Sequence, residues 1–571
     1  MNYREQYERW LDMFKDDKAT YDELIALKDE QEIEDRFYTS LKFGTAGMRG
    51  VLGAGLNRMN VYNVRRATAA LAMYILTQPQ NAQRGVAIAY DSRRNSDLFA
   101  KQAALTLCAR GVKVYLFDSL RPVPELSFTV RYLNCIAGIV VTASHNPAEY
   151  NGYKVYWEDG GQVSPEIASQ ITRLIDTIDY PEALPMDEDE AVSKGLLNII
   201  GAQIDDAYIS AVKKLCVNPQ LAREMGGQLK IVYTPLHGSG NIPVRRILKE
   251  IGFKQVYVVP EQELPDPNFS TVRLPNPEDP AAFTLALKLQ EKLDADVVFG
   301  TDPDCDRVGI AVKDKMGQTH ILTGNQTGCL LLDYILSQKQ AQGKLPSDGA
   351  AVKSIVTTEM ARAICRKFSV KLFDVLTGFK FIAEMIHRFE TDHDHEFLFG
   401  FEESYGYLSG TDVRDKDGVN ACMLIAETAA WYKKRGMTLY EALNDLFEKY
   451  GHYGERVKSV TLKGKDGLDK MSAIMTRLRV NPPERFGSFE VVASRDYQSG
   501  IRDEHGVKSH LGLPVSNVLY YELTNKAWIC IRPSGTEPKI KLYVNAVSKS
   551  AEQTNKYLDE LMNSAEELVA E

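Results

Sequence analysis

The segment VVFGTDPDCDRVGIAV (297–312) sets Asp302, Asp304 and Asp306 at alternate positions between two apolar runs. Three carboxylates this close repel one another at neutral pH, and a bound hard cation removes that repulsion. Oxygen-only ligands suit Mg2+. A solvated acidic turn is the simpler alternative, but the flanking runs are of the buried type. Spacing excludes an EF-hand, because the sixth position is Arg307 rather than Gly and the twelfth is Lys313 rather than Glu.

A second segment, IVVTASHNPAEYNGYKVYW (139–157), carries Ser144, His145 and Lys154 within eleven residues. A hydroxyl just past an apolar strand is a candidate nucleophile or phosphate carrier. A turn closed by a serine hydrogen bond explains the same residue, and adjacent Ser and His do not by themselves make a triad. In FLFGFEESYGYL (397–408), Glu402, Glu403 and Ser404 offer acceptors and a hydroxyl that suit sugar hydroxyls. A helix N-terminus would also favour such acids. In CIRPSGTEPKIKLYV (530–544), the fork of Arg532, the hydroxyls of Ser534 and Thr536 and a turn at Gly535 make a phosphate cradle, with Lys539 and Lys541 adding charge. A plain β-turn is the alternative. KFGTAGMRG (42–50), with Arg49, and LTGFK (376–380), with Thr377, Gly378 and Lys380, are further anion-friendly loops.

The elements around these loops follow a regular pattern. GVAIAY (85–90), VKVYLF (112–117) and IAGIVV (136–141) read as strands, and residues 97–111 read as a helix ending at Gly111. This βαβ punctuation predicts a mostly parallel sheet covered by helices. The layout restarts at QLKIVYTPLHGSGN (228–241) and at AAVKSIVTTEMARAICRKF (350–368). Beyond about residue 450 the chain turns strand-rich, with a short helix near 466–479 and a final amphipathic helix bearing Leu558, Leu561, Met562, Ala565 and Leu568 on one face. The expectation is an α/β protein of three similar mixed α/β domains (1–205, 206–322 and 323–450) and a smaller C-terminal α+β domain (451–571). The candidate loops sit at the carboxyl ends of strands, where open α/β sheets bind ligands.

The chain has 571 residues, 44% hydrophobic and 25% charged, as ordinary globular chains do. A formal net charge of -9 without a long basic tract speaks against nucleic acid as a partner. The eight cysteines are scattered and form no C-x-x-C pair, which suits a reducing compartment. The N-terminus is charged and amphipathic, with Tyr3, Tyr7, Trp10, Leu11 and Phe14 at helical spacing rather than the apolar core of a signal peptide. No apolar run approaches the roughly 18 residues that span a bilayer. A cytoplasmic location and no membrane contact are expected.

A serine, a Mg2+-type acidic loop, a sugar-type loop and a phosphate loop together point to phosphoryl transfer, which depends on positioning and charge neutralisation. At this point the chain resembles the α-D-phosphohexomutases, which include phosphoglucomutases and phosphomannomutases. TASHNP, DPDCDR, FEESYG and RPSGTEP occur in that family's order, one per predicted domain. The SHNPAEYNGYK loop and the length look most like the bacterial phosphoglucomutase branch, which also includes animal phosphopentomutase-like members.

The resemblance implies an active site in a central cleft and a phosphoserine at Ser144. It implies one Mg2+ per chain on Asp302, Asp304, Asp306 and the phosphoserine oxygen, with Arg307 close to the phosphoserine or substrate. His145 and Lys154 would handle protons, Lys154 foremost, and Arg49 would support the catalytic loop. Glu402 and Ser404 would hold sugar hydroxyls, and Thr377, Gly378 and Lys380 would contact sugar or phosphate. Arg532, Ser534, Gly535 and Thr536 would hold the non-reacting phosphate. The implied reaction interconverts glucose 1-phosphate and glucose 6-phosphate through glucose 1,6-bisphosphate, in a monomer or small homo-oligomer. A lysine base would need its pKa lowered by nearby cations. Phe401, where many relatives have Gly, would reshape the sugar pocket and keeps mannose and pentose phosphates open. Outside the mutases, a Mg2+-dependent phosphatase using Asp302 as nucleophile and a non-catalytic sugar-phosphate sensor are the rival readings. A serine hydrolase is disfavoured by the lack of a G-x-S-x-G elbow.

Overall fold

The apolar runs that flank the acidic triplet become the strands Val297–Thr301 and Val308–Lys313, and this pairing of buried strand with polar loop recurs through the chain. The computed structural model describes residues 2–77, 79–462, 467–534 and 539–570. The chain divides into two compact units, one of Met1–Gly324, Ala383–Phe399 and Ser404–Thr438, the other of Asn325–Ile382, Gly400–Glu403 and Leu439–Glu571.

The first unit opens with three short helices, Tyr3–Met13, Lys18–Ala26 and Glu30–Phe37. Asn2 and Glu5 close a capping box on the first of these. Trp10 packs edge-on against Phe14, Phe37 and Tyr180, giving the amphipathic segment its own aromatic cluster.

Six strands follow: β1 (Gly47–Val51), β2 (Val86–Tyr90), β3 (Val114–Phe117), β4 (Ala137–Val141), β5 (Tyr150–Trp157) and β6 (Leu197–Ile200). They form one sheet in the order β1-β5-β4-β2-β3-β6. The pairs β2–β3, β2–β4 and β3–β6 are parallel, as the βαβ punctuation predicts, while β5 runs antiparallel to both β1 and β4. The sheet is therefore mostly parallel, with β5 the one reversed strand. The antiparallel return of β5 brings Lys154 opposite Val140, close to the loop that leaves β4. The helices Val61–Leu76 and Ser96–Ala109 cover the sheet with Ala70, Leu71, Ala104 and Leu107 fully buried.

A second sheet, in the same unit, contains β7 (Lys230–Thr234), β8 (Gln255–Val258), β9 (Val297–Thr301), β10 (Val308–Lys313) and β11 (Thr319–Leu322), ordered β11-β10-β9-β7-β8. Every residue of β9 is buried, and β9 and β10 form an antiparallel pair around the acidic loop.

In the second unit, β12 (Gly349–Ser354) and β13 (Lys371–Val375) are parallel and joined through the helix Met360–Lys367. Its C-terminal part is an antiparallel sheet that includes His452–Thr461, Trp528–Pro533 and Lys539–Ser548. The helices Gly467–Val480 and Ala551–Ala570 bury Met475, Leu478, Leu558, Leu561, Met562 and Ala565 against that sheet, with Leu568 half-buried at the edge of the core. The chain is thus α/β, with mixed sheets and a smaller α+β portion at its C-terminus. No helix among the described residues is long and apolar enough to cross a membrane. All eight cysteines are buried and none is bridged.

Candidate active site

Strand β4 is buried throughout and delivers its last residues into the TASHNP loop. Ser144 lies in the left-handed backbone region, with φ 51°. For a residue with a Cβ this costs on the order of 1–3 kcal/mol and needs surrounding contacts to hold it. One such contact is local, the Ser144 N–H donating to Thr142 Oγ1 at 2.8 Å. Beneath the loop, a Cβ on Gly152 would lie 2.5 Å from the Thr142 carbonyl oxygen, so only glycine lets the strands approach this closely. Ser144 Oγ donates to Asp302 Oδ2 at 2.7 Å and lies 3.1 Å from His145 Nδ1. Burial, then the charge of Arg307, drives His145 down to about 2, so the imidazole is neutral.

The three aspartates are enclosed, and each offers an oxygen within 4.8 Å of the others'. Asp302 is fixed by the backbone N–H groups of Asp306 and Arg307, which donate to its Oδ1 at 3.2 and 3.0 Å. Burial, reinforced by Asp304 and Asp306, pushes the Asp302 carboxyl well above the usual range. Asp304 is also buried, but Lys154 Nζ donates to its Oδ2 at 2.8 Å and holds it below that range. Asp304 Oδ1 and Asp306 Oδ1 are buried without a hydrogen-bond partner. Buried carboxylate oxygens facing one another without donors, beside a serine oxygen, fit a small hard dication such as Mg2+. A second loop braces this one from behind. Ser239 N and Oγ both donate to the Pro303 carbonyl at 2.8 Å, and a Cβ on Gly238 would lie 2.4 Å from Pro303 Cα.

Two arginines foreseen near this centre are present. Arg49 donates to Asn146 Oδ1 at 3.0 Å, tying β1 to the serine loop. Arg307 pairs with Glu278, and its Nε lies 3.9 Å from Asp306 Oδ1. Lys154 is an ammonium. Burial acts to lower its pKa, but Asp304 and Asp306 outweigh burial and raise it. The ammonium of Lys416 acts to lower it, as expected of a neighbouring cation, but is outweighed by the two carboxylates.

The remaining predicted residues belong to the second unit, apart from Ser404, which begins the Ser404–Thr438 segment of the first. Glu402 Oε1 accepts the Gly378 N–H at 2.8 Å, so the LTGFK loop and the sugar-type loop meet; Gly378 is suited to this by its φ of 123°. Thr377 Oγ1 is enclosed without a hydrogen-bond partner, and the Lys380 ammonium lies over the Phe381 ring at 4.9 Å. Glu403 accepts from Ser354 Oγ at 3.0 Å and Thr357 Oγ1 at 3.2 Å. The fully buried Lys353 donates to the Ser354 and Thr357 carbonyls, which shapes that turn.

Phe401 does not open onto the sugar-type loop. Alternation along its strand turns the ring away from Glu402, and it is buried so tightly on Gly328 that a Cβ there would lie 2.2 Å from Phe401 Cδ2. Arg532 is half-buried at the end of Trp528–Pro533, and Ser534 N donates to the Lys539 carbonyl at 2.7 Å. Gly535 and Thr536 lie outside the described residues.

Four stretches match the phosphoglucomutase/phosphomannomutase descriptions: alpha/beta/alpha domain I over 40–182, domain II over 206–317, domain III over 323–450, and the C-terminal domain over 484–564. The chain belongs to the phosphoglucomutase/phosphomannomutase family. It is 36% identical over 555 residues to a phosphoglucomutase of Staphylococcus haemolyticus, covering 96% of this chain and 97% of that one. It is 39% identical over 520 residues to a phosphoglucomutase of Staphylococcus aureus, covering 90% and 91%. The fold resembles the open form of the phosphoglucomutase parafusin from Paramecium, with TM-score 0.68 and 17% identity over 93% of this chain and 95% of that one. It also resembles a phosphoglucomutase/phosphomannomutase family protein from Burkholderia thailandensis, with TM-score 0.66 and 18% identity over 92% and 97%.

In this member of the family, sequence reasoning missed Lys416. Its Nζ lies 3.1 Å from Asp306 Oδ2 and 2.9 Å from Asp415 Oδ1, so two lysines enter the acidic centre. Asp415 is buried and accepts from Tyr156 OH at 2.8 Å and Gln162 Nε2 at 3.1 Å. The signal was the run Arg414-Asp415-Lys416-Asp417 set directly before the helix Gly418–Lys433, which is buried along nearly its whole length. Charged residues with so little access to water need partners.

Proposed function

We propose that the chain is a phosphoglucomutase, interconverting α-D-glucose 1-phosphate and glucose 6-phosphate by way of a phosphoserine at Ser144 and bound glucose 1,6-bisphosphate. The observation that carries this reading is Ser144 Oγ at 2.7 Å from Asp302 inside a buried three-aspartate cluster with two unpartnered oxygens. In the reading, phosphorylated Ser144 gives its phosphoryl group to the free hydroxyl of the sugar monophosphate. The bisphosphate turns around, and Ser144 takes back the other phosphoryl group. Asp302, Asp304 and Asp306 would hold Mg2+ beside the serine oxygen. Bound there, it neutralises charge on the transferring group.

Lys154 serves as acid and base at the reacting hydroxyl. Its proton is held by Asp304 in the resting chain and becomes easier to lose once those carboxylates are engaged elsewhere. Neutral His145 orients Ser144, and Arg307 and Lys416 balance phosphoryl charge. Arg49 steadies the serine loop through Asn146. Glu402, Ser404, Thr377, Gly378 and Lys380 hold the sugar, and Arg532, Ser534, Gly535 and Thr536 the resting phosphate. The blocks 1–205, 206–322, 323–450 and 451–571 each supply one of these loops. A sugar phosphate as partner and a cytoplasmic location complete the proposal.

The test is isomerisation by purified protein with Mg2+ and a trace of hexose 1,6-bisphosphate, across glucose, mannose, N-acetylglucosamine, ribose and deoxyribose 1-phosphates. Glucose 1-phosphate is expected to turn over fastest. A pentose or mannose preference would keep the mechanism and overturn the substrate.

A further inference from the structure

Arg93 reaches the serine loop through its backbone carbonyls. It follows β2 in the segment YDSRRNS (90–96). Its side chain is fully enclosed. Nη2 donates to the carbonyls of Ser144 and Asn146, both at 2.5 Å, and Nη1 to those of Pro147 at 2.8 Å and Tyr150 at 3.1 Å. Nε faces Asp91 Oδ2 at 3.4 Å, and the guanidinium lies 4.9 Å from the centre of the Phe269 ring. Asp91 also accepts from Thr142 Oγ1 at 2.6 Å, and that same Thr142 oxygen accepts the Ser144 N–H. The backbone N–H and C=O of Ser144 are therefore both tied, the first through Thr142, to one buried Asp–Arg pair.

A loop of this length could turn with Gly and Asn alone. Here a buried cation is spent on four carbonyl oxygens of a single loop, an arrangement that a planar fork of five N–H groups can satisfy and a lysine cannot. The loop holds Ser144 in a disfavoured backbone conformation, and relaxation of that conformation would swing Oγ away from Asp302. We propose that Arg93, with Asp91 as its counter-ion, is a positioning residue that locks loop 144–150 so that Ser144 Oγ stays on the acidic cluster during phosphoryl transfer. This rests on the phosphoserine reading of Ser144.

Because the hydrogen bonds of the Arg93 side chain among the described residues go to the serine loop, its loss should lower kcat and leave KM alone. The test compares wild type with Arg93→Lys, which keeps the charge and loses the fork. Three quantities are read: kcat and KM with glucose 1-phosphate, the single-turnover rate of Ser144 phosphorylation by glucose 1,6-bisphosphate, and amide hydrogen exchange in peptide 142–151. Expected are a kcat and a phosphorylation rate at least 100-fold lower, a KM within threefold, and exchange at least tenfold faster in that peptide but not in peptides of the C-terminal sheet. A variant with kcat within threefold of wild type and unchanged exchange overturns the proposal, as does a rise in KM with kcat retained.

If Arg93→Lys does not fold, Phe269→Leu, which removes only the ring under the guanidinium, should lower kcat at least threefold at constant KM; an unchanged kcat again overturns it. The two readings fail separately. A wild type that is never phosphorylated at Ser144 overturns the phosphoserine reading, while faster exchange of peptide 142–151 in Arg93→Lys would still support the lock.

Discussion

Replacing Lys416 by Met should tighten divalent-cation binding while weakening the metal-free fold. Lys416 Nζ sits 3.1 Å from Asp306 Oδ2 and 2.9 Å from Asp415 Oδ1, and its side chain is only 10% exposed. Removing one partner of a buried ion pair costs about 3–5 kcal/mol, and here Asp306 is left with Lys154 and Arg307, each at 3.9 Å. The same ammonium opposes a dication among the aspartates. At an effective dielectric near 20, two unit charges about 4 Å apart interact by ~4 kcal/mol. Recovering even a third of that, ~1.4 kcal/mol, means roughly tenfold tighter binding. Titration calorimetry with Mg2+, or Mn2+ binding followed by electron paramagnetic resonance, reads the affinity, and thermal unfolding with and without Mg2+ reads the coupling. The variant should bind the cation at least tenfold tighter, and its stability deficit should shrink when Mg2+ is added. Turnover should nonetheless fall roughly 100-fold with loss of a charged group at the reacting centre. A folded variant with unchanged or weaker cation affinity would refute the placement of the cation beside Asp306.

Three further outcomes follow from the same geometry. Saturating Mg2+ at 100 times its dissociation constant should stabilise the wild type by about 2.7 kcal/mol, and an Asp302→Asn/Asp304→Asn/Asp306→Asn variant should lose that gain in a thermal-shift assay. Gly238→Ala would set a Cβ 2.4 Å from Pro303 Cα, so it should weaken Mg2+ affinity at least tenfold by moving the acidic loop, and equal affinity would show that the brace is dispensable. Burial raises Asp417 to about 6 from 3.8 despite hydrogen bonds from Asn420 and Tyr208. Its folded pKa therefore exceeds its unfolded one, and its contribution to stability is lost as pH rises from about 4 through 6, by of order 3 kcal/mol. Asp417→Asn keeps the helix cap and should flatten that stretch of the unfolding-versus-pH curve; an unchanged slope argues against a buried charge there.

The parts of the site legible in the sequence were those whose chemistry is local. Three aspartates between buried strands have no inexpensive alternative to a cation, so Asp302, Asp304 and Asp306 could be read together, and the strand before TASHNP placed Ser144 at its exit. The strands and helices from 85 to 141 were legible because apolar period and glycine punctuation agree. Features set by distant partners were hidden. Lys416 meets Asp306 only because the helix Gly418–Lys433 is buried and leaves its capping run no other place. The charge state of Lys154 depends on two carboxylates 150 or more residues away in the chain. β5 was not read as a strand, and its antiparallel return is fixed by the short TASHNPAE loop, too short for a crossover helix. Phe401 was read by size alone, whereas strand alternation decides which way the ring points. Arg93 had no signal beyond a polar loop, because its four acceptors are backbone carbonyls.

The most direct test of the account is whether Ser144 carries phosphate during turnover. Protein working on glucose 1-phosphate with Mg2+ and a trace of glucose 1,6-bisphosphate should be quenched and its peptides mapped by mass spectrometry, alongside Ser144→Ala. The account predicts a phosphopeptide at Ser144 that forms and disappears as fast as glucose 6-phosphate appears, and loss of at least 1000-fold in turnover for the alanine variant, the scale expected when a covalent nucleophile is removed. Full turnover by Ser144→Ala, or phosphate captured on Asp302 instead, would contradict it.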